Sequence, residues 1–174
     1  MFMSGLMIFN AHPRLYWGHY GANSDAAWLV LDHFPGWMTI PSGYSLSDGR
    51  LWHFAFAWVL AFGLAFNLVM MLVNGHFRRD IALSAAEVAP KTIAATLRSA
   101  FARNAHGDGR YNVIQKLFYS LVMFILLPGM IVTGLAMAPG INAAWPWLVD
   151  VFGGRQSARS LHFIMAWGLF LFLF

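Results

Sequence analysis

The chain has 174 residues, a formal charge of +4 with its seven His neutral, and a composition that is 59% hydrophobic, 17% aromatic and 10% charged. A soluble domain carries about 25% charged residues, so a lipid bilayer is the expected solvent, and a nucleic-acid partner is excluded because no polar face is left for a basic patch. The absence of Cys further excludes disulfides, cysteine-ligated iron–sulfur clusters, thiolate zinc sites and c-type haem attachment, leaving His, carboxylate or Met to hold any metal.

In chain order, Met1 to Phe9 is apolar and lacks the positive n-region and small-residue cleavage site of a signal peptide. It reads as the end of a first membrane helix. An outer loop, 10–50, follows, and then Leu51 to Val73, 23 residues with only His53 and Asn67 strongly polar. At 1.5 Å per residue this segment covers roughly 34 Å against a hydrocarbon core of about 30 Å, so it is predicted to cross. The segment 74–116 holds seven of the eleven basic residues, which places it on the cytoplasmic side. Within it, Ser84 and Glu87 match a capping box, and Ile93, Leu97 and Phe101 recur every fourth residue, predicting a short helix on the inner surface. A further span, 117–138, contains Pro128, Gly129 and Gly134, a kink and small faces that neighbouring helices tolerate. An outer loop, 139–159, leads to a last helix over 160–174, which is still apolar where the sequence stops. The Trp residues of the outer loops suit headgroup depth. The predicted fold is an all-α membrane protein over 1–174, a four-transmembrane-helix bundle with its first and fourth helices incomplete in this chain.

Position sorts the seven His. His53 and His162 each lie near the outer start of a helix running inward, so their imidazoles belong at similar depth. Each follows an Arg by three residues, in Arg50-Leu-Trp-His53 and Arg159-Ser-Leu-His162, and residues so spaced share a helix face. Two His at one depth on facing helices suit bis-imidazole ligation of one haem, with Arg50 and Arg159 beside the propionates. Trp52, Phe54, Phe56 and Trp58 would supply apolar walls, with Gly63 or Gly168 where the backbone must come close. The competing reading of either motif alone is an interfacial His with an Arg snorkelling to phosphate. The repetition favours a ligand.

The remaining His carry less. Asn74 and His76 lie at the inner end of the helix that holds His53, where His76 suits either a quinone carbonyl or a helix C-terminus. His12, His19 and His33 have no metal-like spacing, and His106 lies in the basic loop. Asn67 sits mid-membrane, where a hydrogen bond across helices is expected. Glu87 is the only Glu and all six Asp fall in loops, so a carboxylate proton relay or protease has no material.

Three stretches carry a family likeness. Ser4-Gly-Leu-Met-Ile-Phe-Asn-Ala-His-Pro-Arg-Leu-Tyr-Trp-Gly18 resembles the end of helix one and the following loop in bacterial cytochrome b561-type membrane subunits, the group that includes thiosulfate reductase cytochrome b subunits and nickel–iron hydrogenase b-type cytochromes. Tyr111 to Tyr119 with Thr133 to Met137 is similar to helix three of those proteins, and Gly153 to His162 to the start of helix four. The resemblance covers nearly the whole chain. It implies a four-helix subunit of the bacterial inner membrane with two b-type haems, passing electrons between the quinone pool and a redox partner. His53 and His162 then match the axial pair of the outer haem, while the ligands of the inner haem fall outside this chain. The partner is expected on the periplasmic side, as a molybdopterin oxidoreductase, a hydrogenase or a c-type cytochrome, with the aromatic outer loop as its docking surface. A quinone is expected near Asn74, His76 or the 112–116 segment. A non-haem membrane transporter or an assembly and anchor subunit is the alternative from another class. A mononuclear metal at the His pair would need a third protein ligand.

Overall fold

The computed structural model describes residues 1–22, 25–42, 44–82, 84, 86–87, 89–101 and 113–173; Arg103, His106, Arg110, Tyr111 and Asn112 lie outside the described residues. These residues form two compact units, one of 1–62 with 126–174 and one of 63–125. The described chain is mostly helical. Two helical stretches, Leu46–Val73 and Val113–Met137, are long and apolar enough to cross a membrane, with mean hydropathy of 2.3 and 2.2.

The first unit contains α1 (Phe2–Phe9), the N-terminal part of α2 (Leu46–Val73), α5 (Leu127–Met137), the short α6 (Pro139–Ala144) and α7 (Trp147–Val151), and α8 (Arg155–Phe172). Its tightest packing is α5 along α8. Small residues allow it: Ala136 on α5 and Ala158 and Ser160 on α8 are fully buried. A Cβ added to Gly129 would stand 2.6 Å from Met165 Sδ. In lipid no hydrophobic force draws helices together, so such close backbone approach supplies the cohesion through dispersion. Ala136, Val149 and Ala158 form an apolar core where α5, α7 and α8 meet, covered by Met137, Leu148 and Phe152.

α1 leans on α8 through aromatic rings. Phe2 stacks on Phe170 at 4.7 Å and meets Trp167 edge-on at 5.2 Å, while Phe9 stacks on Phe163 at 4.7 Å. The stretch after α1 contains a small hairpin, β1 (Arg14–Leu15) against β2 (Leu29–Val30), with Leu15 opposite Leu29. The apolar pattern did not announce this strand pair, because two residues a strand are too few for an alternation. The hairpin is fastened to the start of α8. Trp28 Nε1 donates to Ser160 Oγ at 3.0 Å, Ser160 Oγ donates to the Tyr16 carbonyl at 2.7 Å, and the Gly18 carbonyl accepts from the Gln156 and Ser157 backbone N–H groups at 3.0 and 3.2 Å. That carbonyl caps a helix with no side-chain cap of its own. Gly154 is required there: its φ is +115° and an added Cβ would lie 2.5 Å from the Gly18 backbone.

Helix boundaries move outward from those predicted. α2 begins at Leu46 rather than Leu51, with Asp48 in its first turn and the Asp48 N–H bonded to Ser45 Oγ at 3.3 Å. α4 (Val113–Leu121) begins before Leu117, and α8 begins at Arg155 rather than near Ser160. The added turns are polar, so a search for apolar runs omits them. The kink expected at Pro128 appears as a π-helical segment, Val122–Leu126, between α4 and α5. Proline has no N–H to give and its ring crowds the carbonyl four residues earlier, which a widened turn relieves.

The second unit contains the C-terminal part of α2, a π turn at Phe77–Ile81, α3 (Pro90–Phe101) and α4. Gly75, at φ +66°, ends α2 in the left-handed conformation. The Ser84–Glu87 box forms reciprocally: the Ser84 N–H donates to Glu87 Oε2 at 2.8 Å, and the Glu87 N–H to Ser84 Oγ at 3.3 Å. It closes a turn ahead of α3 instead of starting the helix, which begins at Pro90, a residue pre-set for a first turn. Lys116 donates to Glu87 Oε1 at 2.7 Å, and that bond, with those from Ser84, pulls the Glu87 pKa down to about 2. Because the folded state favours the carboxylate, this contribution to stability is complete above the ordinary Glu pKa and fades as pH falls toward 2. Lys116→Met is expected to return the Glu87 pKa most of the way to its usual value, readable in a carboxylate NMR titration.

Candidate functional site

His53 and His162 meet within the first unit. Each is the eighth residue of its helix, α2 and α8, and their ring centroids stand 6.1 Å apart with planes at 62°. The equal depth inferred from two helix starts is therefore realised as proximity of the two rings.

Each ring is held through Nδ1 by a hydroxyl from another helix. His162 Nδ1 lies 2.9 Å from Thr133 Oγ1 on α5, and that hydroxyl also lies 2.6 Å from the Gly129 carbonyl. A carbonyl only accepts, so the single hydroxyl proton goes to Gly129 and His162 Nδ1 must be the donor to Thr133. His53 Nδ1 repeats the arrangement on α1, at 3.3 Å from Ser4 Oγ and 3.2 Å from the Met1 carbonyl, to which Ser4 also donates at 2.8 Å. Both rings thus carry their proton on Nδ1, which leaves the Nε2 lone pairs for a metal. Neither Nε2 has a hydrogen-bond partner among the described residues, and neither is sealed from space.

These distances can be set against a haem. Iron–nitrogen bonds of about 2 Å, with a ring nitrogen about 1.1 Å from its centroid, place two axial imidazoles roughly 6 Å apart at their centroids. The observed 6.1 Å agrees. The surroundings leave room for a flat group. α2 touches α1 where Gly49 lies against Met7 and Ile8; elsewhere among the described residues its N-terminal part packs closely along no other helix of this unit. Trp52, Phe54, Phe56 and Trp58 are exposed along that part, with Trp52 and Phe56 stacked at 5.7 Å. Gly5 and Gly134 lie against the imidazoles, each with an added Cβ 3.4 Å from a His Cε1. Gly63 has nothing near it and Gly168 meets only Leu126, so the close-approach glycines are not the two expected from the sequence. Among the described residues no third His or carboxylate joins the pair. The residues present suit a metal whose remaining ligands come from a macrocycle.

The two arginines differ. Arg50 is exposed on α2, one turn before His53. Arg159 is half-buried; its guanidinium donates to the His12 carbonyl and lies 5.6 Å from the centre of the Phe9 ring. His12, with no role assigned from spacing, is thereby brought beside α8, stacked at 5.7 Å on Tyr16. Desolvation, then the charges of Arg159 and Arg14, push its pKa below the usual imidazole value. His19 lies at the surface, 3.9 Å from Asp150.

Asn74 and His76 belong to the second unit, where they line an open pocket of about 360 Å³ with Asn67, Met70, Met71, Ile81, Tyr119 and Met123. Asn67, expected to bond across helices, makes no hydrogen bond among the described residues and faces this pocket instead. The walls are thioether and apolar side chains with a few amide and imidazole groups, a lining suited to a flat apolar molecule with polar ends.

Sequence reasoning missed Ser4, Thr133, Gly5 and Gly134. Ser4 and Thr133 are small polar residues in otherwise apolar helices, a signal that usually means backbone or interhelical bonding. Their service to the imidazoles needed coordinates. The family model described as prokaryotic cytochrome b561 matches residues 1–174. No curated protein and no solved structure matches the chain.

Proposed function

The chain belongs to the prokaryotic cytochrome b561 family, and from that membership we propose that His53 and His162 are the axial ligands of one haem b near the outer surface. As a b561-type chain it is a membrane electron-transfer subunit of a family that binds haem. The observation that carries the ligand assignment is the 6.1 Å ring separation, with both Nδ1 atoms engaged by Ser4, Met1 and Thr133. Bound haem supplies a one-electron iron couple. The chain holds both imidazoles in the tautomer that presents Nε2, keeps the surroundings apolar with Trp52, Phe54, Phe56 and Trp58, and offers Arg50 and Arg159 to the propionates. For the second haem that the resemblance implies, no residue is assigned.

Electrons run in this proposal between the quinone pool and a periplasmic redox subunit, of the molybdopterin oxidoreductase, hydrogenase or c-type cytochrome kind. The basic 74–116 loop faces the cytoplasm of a bacterial inner membrane, and the exposed rings of Trp17, Trp28, Trp37, Trp145 and Trp147 border the outer docking surface. The quinone sits by Asn74 and His76, in the pocket lined by Asn67 and Tyr119.

The test of the haem is a dithionite-minus-air difference spectrum of the full-length protein in membranes. The sharp alpha band of a low-spin b-type haem is the expected result, and its absence overturns the assignment. For the quinone, His76→Phe and Asn74→Leu are each expected to raise the KM for quinol about tenfold, the size of one lost hydrogen bond in an apolar site, with the haem spectrum unchanged. An unchanged KM in both removes the quinone from this pocket.

A further inference from the structure

Near the start of α8, two buried polar atoms lack a hydrogen-bond partner among the described residues, with a guanidinium beside them. Tyr16 is 2% exposed, yet no described group bonds its hydroxyl. His12 Nε2 is likewise buried and unpartnered among the described residues. Arg159, half-buried, spends one N–H on the His12 carbonyl and forms no ion pair with a carboxylate among the described residues. The three are neighbours. Arg159 is bonded to the His12 backbone, the His12 ring lies on the Tyr16 ring, and the Tyr16 hydroxyl is near enough to the guanidinium to interact with it electrostatically.

Buried polar groups are almost always satisfied, so two together without a partner, beside a half-buried guanidinium that pairs with no described carboxylate, call for one. An anion with several lone pairs answers a guanidinium, a phenol O–H and an imidazole that carries a proton on Nε2. Two acids of this unit are engaged elsewhere, Asp25 with the Ala22 N–H and Asp150 beside His19. We propose that Arg159, His12 and Tyr16 form a carboxylate site that takes one propionate of the haem. Arg159 stands one turn before His162 on α8, which places the site at the outer rim of the proposed haem position. The inference rests on the haem assignment and extends it to two residues of the outer loop. It also gives the β1–β2 hairpin a purpose: Ser160, Trp28 and the Gly18 carbonyl fasten to α8 the segment that brings Tyr16 and His12 to Arg159.

The test compares haem loss from the ferric full-length protein loaded with protohaem or with protohaem dimethyl ester, whose carboxylates are blocked. Tyr16→Phe and His12→Phe keep the stacked rings and remove one donor each. Each is expected to speed loss of protohaem about tenfold while leaving loss of the diester unchanged, and to shift the propionate bending mode in the resonance Raman spectrum. Equal effects of both variants on the two haems, or none on either, overturn the proposal and leave the axial ligation standing. A lipid phosphate in the site would give the second pattern, together with less phospholipid co-purifying with the variants. Wild-type protein that binds neither haem overturns the axial assignment itself, and this site with it.

Discussion

His162→Ala is expected to remove from the low-spin spectrum the part that belongs to the haem proposed at His53 and His162, and to weaken retention of that haem by more than about a hundredfold. Partners that merely orient a metal ligand are worth about 10–100-fold in affinity, so removing the ligand itself costs at least as much. The substitution leaves helix packing largely intact, because α5 and α8 adhere through Gly129, Thr133, Ala136, Ala158 and Ser160 rather than through the imidazole. Any haem that remains at this site should be five-coordinate and high spin on His53, and should bind added imidazole in the space the truncation opens. Return of the low-spin alpha band with imidazole separates lost ligation from lost folding. His53→Ala should behave alike. A variant that keeps the full wild-type intensity of the low-spin band and its full haem content without imidazole would remove that histidine from the iron, and would return the transporter or anchor reading to contention.

The parts of this arrangement legible in the sequence are those with a period or a repeat. Leu51 to Val73 is a run of apolar side chains long enough for a bilayer, and hydropathy depends on nothing outside the run. The duplicated Arg-x-x-His could be read because two helices entering from one side put equal offsets at equal depth, and the 6.1 Å between rings follows from that register. What stayed hidden depends on chain meeting chain. Ser4 and Thr133 are unremarkable until α1 and α5 lie beside the imidazoles. His12 lacked any metal-like spacing, and only the fastening of the hairpin to α8 brings it to Arg159. Helix starts were misplaced for a related reason. The opening turns of α2 and α8 are polar, and the N–H groups of α8 are met by the carbonyl of Gly18, more than a hundred positions away in sequence.

Thr133→Val should raise the haem reduction potential and loosen haem by about 10–100-fold, with little change in helix content. Valine keeps the β-branched shape in a site that is fully buried, so what disappears is the acceptor for His162 Nδ1. A donated Nδ1–H makes the imidazole a stronger base toward iron and favours the ferric state, so losing its acceptor favours ferrous iron. Gly129 loses only the side-chain donor to its carbonyl, which the backbone N–H of residue 133 also reaches in an α-helix. Thr133→Ser, which restores the hydroxyl, should bring both potential and retention back. The counterpart at His53 is weaker. Ser4 Oγ lies 3.3 Å from His53 Nδ1, near the outer limit of a hydrogen bond, and the Met1 carbonyl remains at 3.2 Å when the hydroxyl is gone. Ser4→Ala should therefore move the potential in the same direction but by less, and a redox titration of the two variants side by side reads that asymmetry. Equal shifts would mean that Thr133 and Ser4 carry the same share of the orientation. No shift in Thr133→Val would mean that His162 takes its basicity from elsewhere, and that the 2.9 Å contact is packing alone.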